Sequence, residues 1–81
     1  MNLNRRICVV NVIGEQQVLI DNEVIYDVQF DIDPMINVIQ WHGDHGEIEY
    51  DDERVNEEIT DFTPYSWILD IAEQRKVIDA A

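Results

Sequence analysis

The chain is short of most features that mark catalytic, membrane or nucleic-acid-binding proteins. Cys8 is its one cysteine, so no internal disulfide forms. Lying in an apolar run, Cys8 reads as a buried thiol suited to a reducing compartment. The apolar stretch behind Arg5 and Arg6 is broken by Asn11 and Gly14, too soon for a signal-peptide core or a membrane span, and a cytoplasmic protein is expected. No glycine-rich phosphate loop, nucleophile elbow or Cys/His pair is present, and the expectation is a chain with no catalytic residues and no cofactor. Positive charge is scarcest of all: 5 Lys and Arg stand against 18 Asp and Glu, a net charge of -13. Direct binding to nucleic acid or an anionic membrane is disfavoured, because those surfaces carry the same sign. Basic protein partners are favoured, although the same charge also serves solubility.

What is present suffices for one fold. Eighty-one residues supply a single hydrophobic core, so residues 1–81 read as one acidic domain. With 46% hydrophobic residues the chain has enough to bury, and dimerisation would extend a thin core. Residues 7–13 read as a first strand. Asp21-Asn22, two residues that tolerate left-handed backbone, separate residues 18–20 from 24–32 as a tight hairpin. In the second arm Val24, Tyr26, Val28, Phe30 and Ile32 alternate with Ile25, Asp27, Gln29 and Asp31, which predicts one long strand with the first set buried. Asp33-Pro34 interrupts it. Residues 36–41 and 47–50 then flank His42-Gly43-Asp44-His45-Gly46, whose glycines permit a bulged loop. Ile48 and Tyr50 face one side of that return arm, and Glu47, Glu49 and Asp51 the other.

Thr63-Pro64 signals a helix start, with threonine capping and proline in the first turn. The helix is expected to run to about residue 77 or 78. Tyr65, Ile68, Leu69 and Ala72 form its apolar stripe, edged by Trp67, Ile71 and Ile78, and Arg75 and Lys76 oppose its dipole near the end. The fold class is therefore α+β: an antiparallel sheet of four or five strands packed by one C-terminal helix.

His42 and His45, with Asp44, Glu47 and Glu49 nearby, have the atom types of a metal site, but zinc sites draw four ligands from defined spacings and a polar hairpin turn accounts better for this loop. Residues 44–61 hold nine acids against Arg54 alone. Alternate strand residues lie about 6.6 to 6.8 Å apart on one face, close to two DNA base steps of about 3.4 Å, so such a row suits a nucleic-acid mimic. It equally suits a solvated edge that discourages aggregation. The candidate partner-binding residues are Trp41, Asp44, Glu47, Glu49, Asp51, Asp52, Glu53, Glu57 and Glu58. Core is the default for both tryptophans, and Trp41, beside the hairpin turn, is the better placed of the two to reach a partner.

The stretch Ile39-Gln40-Trp41-His42-Gly43-Asp44-His45-Gly46-Glu47-Ile48-Glu49-Tyr50, then Asn56-Glu57-Glu58-Ile59-Thr60-Asp61 and Pro64-Tyr65, resembles small proteins of tailed bacteriophages and prophages, often encoded near tail or tail-fibre genes. The similarity spans residues 36–69 and leaves the first strands unmatched. It implies a phage-encoded accessory protein that binds another virion protein, in the bacterial cytoplasm or the virion, and it brings no catalytic residues. The charge suggests a rival of another class, an acidic inhibitor of a host defence nuclease (anti-CRISPR or anti-restriction) whose partner is a basic nucleic-acid-binding protein.

Overall fold

Six short strands and one helix form in the computed structural model, which describes residues 4–12 and 14–80 and the side chains of the closing helix as far as Lys76. The strands are β1 (Ile7–Val10), β2 (Gln17–Ile20), β3 (Glu23–Tyr26), β4 (Ile36–Trp41), β5 (Gly46–Tyr50) and β6 (Glu57–Ile59). They make one antiparallel sheet in the order β3-β2-β1-β4-β5-β6, so two three-stranded meanders meet where β1 pairs with β4. A 3-10 turn, Thr63–Tyr65, leads into helix α1, Trp67–Ala80. The fold is α+β with one sheet and one C-terminal helix, and the strand beyond the expected four or five is β6.

Local chemistry explains the joints. Asp21 and Asn22 take φ of 50° and 72°, the doubly left-handed pattern of a two-residue hairpin, and set Ile20 opposite Glu23. The Asp33 carboxylate accepts the Met35 amide at 2.9 Å and the Asp33 carbonyl accepts the Ile36 amide at 3.0 Å, a turn with proline at its second position. The second hairpin is closed by a four-residue loop in which the His42 amide donates to the His45 carbonyl at 2.8 Å. Its bulge lies at the far end, between Ile36 and Val38, and not in the glycine loop. Gly46 is obligatory, because a Cβ there would sit 2.2 Å from the Gln40 carbonyl oxygen.

One sheet face carries the core. Ile7, Val9, Val18, Ile20, Ile25, Ile39 and Ile48 point into it and are buried, with Ile68, Leu69 and Ala72 of α1 above them. Trp41 packs edge-on against Phe62 at 5.6 Å between ring centroids, which seals the β4–β5 side of this layer. Asn11 is buried and joins the meanders: its side-chain amide donates to the Ile36 carbonyl at 2.8 Å and to the Asp33 carbonyl at 3.2 Å. Gln16 donates to the Asn11 side-chain oxygen at 2.9 Å.

Several expectations are corrected. The arm after the first hairpin is no single strand: β3 stops at Tyr26 and Asp27 takes φ of 57°. That left-handed residue shifts the alternation, so Ile25 replaces Val24 and Tyr26 on the core face, while Val28 and Phe30 enter the core from a segment without strand pairing. Residue 13, the expected end of the first strand, lies outside the described residues, and β1 itself ends at Val10. Thr63 does not cap the helix turn: Phe62 holds the N-cap position with no side-chain cap, and the Asp61 carboxylate just before it accepts the Thr63 amide at 3.0 Å and its hydroxyl at 2.7 Å. α1 runs on to residue 80, which moves Arg75 and Lys76 out of its last turn. They form ion pairs instead, Arg75 with Asp27 at 3.7 Å and Lys76 with Glu23 at 2.7 Å. Of the expected stripe, Trp67 is exposed, and the Ile78 side chain lies outside the described set.

Candidate partner-binding surface

The structure reverses the two tryptophans. Trp41 is 4% exposed and belongs to the core, whereas Trp67 is 40% exposed, its indole N–H donating to the Pro64 carbonyl at 3.0 Å. Trp41 therefore supports the surface from beneath and offers no ring to a partner.

The acidic candidates separate into three groups. At one end of the β4–β5 hairpin Asp44 meets the His45 ring, a contact that holds its carboxyl below the usual range. At the other end, Asp52 binds the Arg54 guanidinium at 2.7 Å and is held low by it, while Arg54 lies 4.3 Å over the Tyr50 ring. Tyr50 donates to Glu57 at 2.6 Å, and that hydrogen bond favours the protonated phenol, raising its pKa above the ordinary value. These residues fasten the β5–β6 connection to itself, and Asp51 and Glu53 are exposed around it. The third group is Glu47, Glu49 and Glu58. Register puts Glu47 directly across from Glu58 and Glu49 across from Val38, all on the sheet face turned away from the helix. Asp51, expected in one row with Glu47 and Glu49, lies past the strand end.

Like charges facing each other across a ladder are destabilising. Glu47 and Glu58 nonetheless do so without a lysine or arginine bridging them among the described residues. Glu47 has the His42 ring at 3.3 Å, and Glu49 accepts from the Gln40 amide at 2.9 Å. Four of the five cations are engaged elsewhere, Arg5 with Asp21 at 3.0 Å, Arg54 with Asp52, and Arg75 and Lys76 with the β3 side, and the fifth, Arg6, stands at the rim of a depression between Cys8, Leu19 and Gln40. The two histidine rings lean on one another at 5.1 Å, each beside a carboxylate, and no group of three or more metal-ligating side chains is gathered among the described residues.

The other half of this outward face is apolar. Cys8, Val10, Leu19, Val24 and Val38 are half-buried there without a second layer above them among the described residues, and Tyr26 is 61% exposed. A depression of about 230 Å³ opens where Cys8, Leu19 and Gln40 meet, rimmed by Arg6, Asn22 and His42. Burial, and secondarily the charge of Glu49, push the Cys8 thiol above its ordinary value, which keeps it protonated and weakly nucleophilic. Leu19, Val10 and Val38 escaped the sequence reading, although a signal existed. β1 reads Ile-Cys-Val-Val and β2 ends Val-Leu-Ile, apolar on both parities, the pattern of strands covered on both faces.

No helix among the described residues is long and apolar enough to cross a membrane. Comparison with protein-family models, curated proteins and solved structures finds no match.

Proposed function

We propose that this chain is a phage-encoded accessory protein that binds another protein, a tail or tail-fibre structural or assembly component, and catalyses no reaction. The observation that supports it is the uncovered sheet face, apolar on the β1–β3 side and acidic on the β5–β6 side. Sheet surfaces of that composition match the apolar centre and polar rim of protein interfaces. The phage setting rests on the resemblance of residues 36–69. Capture of the tagged chain from infected bacteria tests the reading: a virion protein retained at high salt is the expected result.

The acids Glu47, Glu49 and Glu58, without lysine or arginine partners among the described residues, support a second reading, an acidic inhibitor occupying the nucleic-acid channel of a defence nuclease. A nuclease in the captured material, released steeply as salt rises and no longer inhibited after charge reversal at Glu47, Glu49 and Asp51, would replace the first reading by the second.

A further inference from the structure

Of the two faces of the sheet, one is sealed by α1 and Phe62 and the other has no covering layer among the described residues, yet β1, β2 and β3 are apolar on both apart from Gln17 and Glu23 at the strand ends. Cys8, Val10, Leu19 and Val24 occupy the positions that alternate with the buried core residues Ile7, Val9, Val18, Ile20 and Ile25. Strands that meet water on one side normally alternate, as β5 does with Glu47, Ile48 and Glu49. Two-sided apolar strands in a one-helix fold thus call for something else on the outer side, and the neighbouring charge says what kind. A second copy would bring its own Glu47, Glu49 and Glu58 and a further net charge of -13 to a face that already opposes Glu47 to Glu58. A cationic surface would relieve that opposition.

Resting on the protein-binding reading above, we propose that the outer face docks a basic protein segment. One apolar side chain of that segment seats in the depression between Cys8, Leu19 and Gln40, and its lysines or arginines lie against Glu47, Glu49 and Glu58. The depression, about 230 Å³, exceeds the roughly 150 Å³ that accepts a benzene ring in an engineered protein cavity, so a leucine- or phenylalanine-sized anchor fits. Interfaces concentrate their affinity in such centrally seated side chains, with charged rims supplying orientation and encounter rate.

Cys8, the one thiol in the chain, forms part of the floor and reports occupancy directly. The probe is a synthetic amphipathic peptide of leucine and lysine, with a leucine–glutamate peptide and a lysine–serine peptide as controls. The leucine–lysine peptide is expected to slow alkylation of Cys8 at least severalfold, and neither control to do so. Replacing Glu47, Glu49 and Glu58 together by Gln removes three exposed charge contacts and is expected to weaken the peptide about tenfold. Leu19→Glu should abolish protection, while the triple variant, which relieves repulsion, keeps the test valid if Leu19→Glu fails to fold. Protection by the leucine–glutamate peptide, binding that leaves Cys8 alkylation unchanged, or a dimer of the chain alone that shields Cys8 would each overturn the proposal. The virion complex separates this from the broader reading. If it forms with wild type and equally with the triple variant and a folded Leu19→Glu, the surface is wrong and the accessory role stands; if wild type captures no protein, the accessory role falls.

Discussion

The two meanders use the same antiparallel geometry and opposite chemistry. In β1–β3 the flanking acids are neutralised in pairs: Asp21 by Arg5, Glu23 by Lys76 and Asp27 by Arg75. There the outward positions are apolar apart from Gln17. In β5 and β6 the outward positions Glu47, Glu49 and Glu58 are acidic, and Glu47 faces Glu58 with no bridging lysine or arginine among the described residues. Both meanders contribute buried inward residues, Ile7, Val9, Val18, Ile20 and Ile25 from the first and Ile36, Ile39, Trp41 and Ile48 from the second, so the fold asks only for one apolar face. The contrast on the other face is therefore free to serve something besides folding, and it divides a single surface into an apolar and a charged half.

Breaking the core beneath that surface has the largest expected effect. Trp41→Ala removes a ring packed against Phe62 and should cost about 3–5 kcal/mol, a large share of the about 5–15 kcal/mol typical of a domain. Trp67→Ala, at an exposed ring, should cost far less. Urea unfolding of both variants tests the reversed roles, and equal losses would contradict them. Next comes the seam between the meanders. Asn11→Ala leaves the Ile36 carbonyl without its side-chain donor and removes one of the two acceptors of the Gln16 amide, the Phe30 carbonyl remaining. The expected loss is about 1–3 kcal/mol, accompanied by faster amide exchange at the start of β4.

How much of this was legible beforehand depends on how local the determining chemistry is. The Asp21-Asn22 hairpin, the turn at Asp33-Pro34 and the stripe Ile68, Leu69, Ala72 are written in adjacent or regularly spaced residues, and they were read correctly. β6 was not, because Glu57-Glu58-Ile59 has one apolar residue and becomes a strand only by pairing with β5. The alternation through residue 32 misled for a similar reason: a left-handed Asp27, whose carboxylate is held by Arg75 of the distant helix, resets the phase. Among the candidate site residues, Glu47 and Glu49 were placed on their face by strand parity alone. Glu58 could join them, and Leu19 and Cys8 could form a floor, only once register was known. The core default for both tryptophans holds for Trp41 and fails for Trp67, and ranking Trp41 as the better placed for a partner fails because proximity to a turn says nothing about which side of the sheet a ring takes.

Charge substitutions sharpen the contrast between meanders by sign. Glu58→Gln relieves the cross-strand repulsion and should stabilise the chain by about 0.2–1 kcal/mol. Glu23→Gln loses the exposed pair with Lys76 and should destabilise it by a few tenths of a kcal/mol at most. Added salt should shrink both differences, since each is an exposed interaction screened over about 10 Å at 0.1 M. Thermal melts of the two variants at low and moderate salt measure this, and matching signs would show that the charge asymmetry is energetically silent.

The smallest effects are the titrations, and these too differ between meanders. Asp21 in the first is held low chiefly by its hydrogen bond from Arg5. A carboxyl depressed in the folded state stabilises above its unfolded pKa of about 3.9 and loses that contribution as pH falls through the folded value. Tyr50 in the second is raised, first by its hydrogen bond to Glu57 and then by burial. Its sign is the reverse: the protonated phenol is favoured by folding, so the contribution is complete below about pH 10 and disappears as pH climbs through the raised value. Asp21→Asn should remove one contribution to the acid limb, those of Asp44, Asp52 and Asp61 remaining, and leave the alkaline limb intact, while Glu57→Gln should weaken the alkaline limb and bring the ultraviolet titration of Tyr50 back towards an ordinary tyrosine. A Tyr50 titration unmoved by Glu57→Gln would mean that the β5–β6 connection is not fastened by this bond, and Glu57 would then rejoin the acids available to a partner.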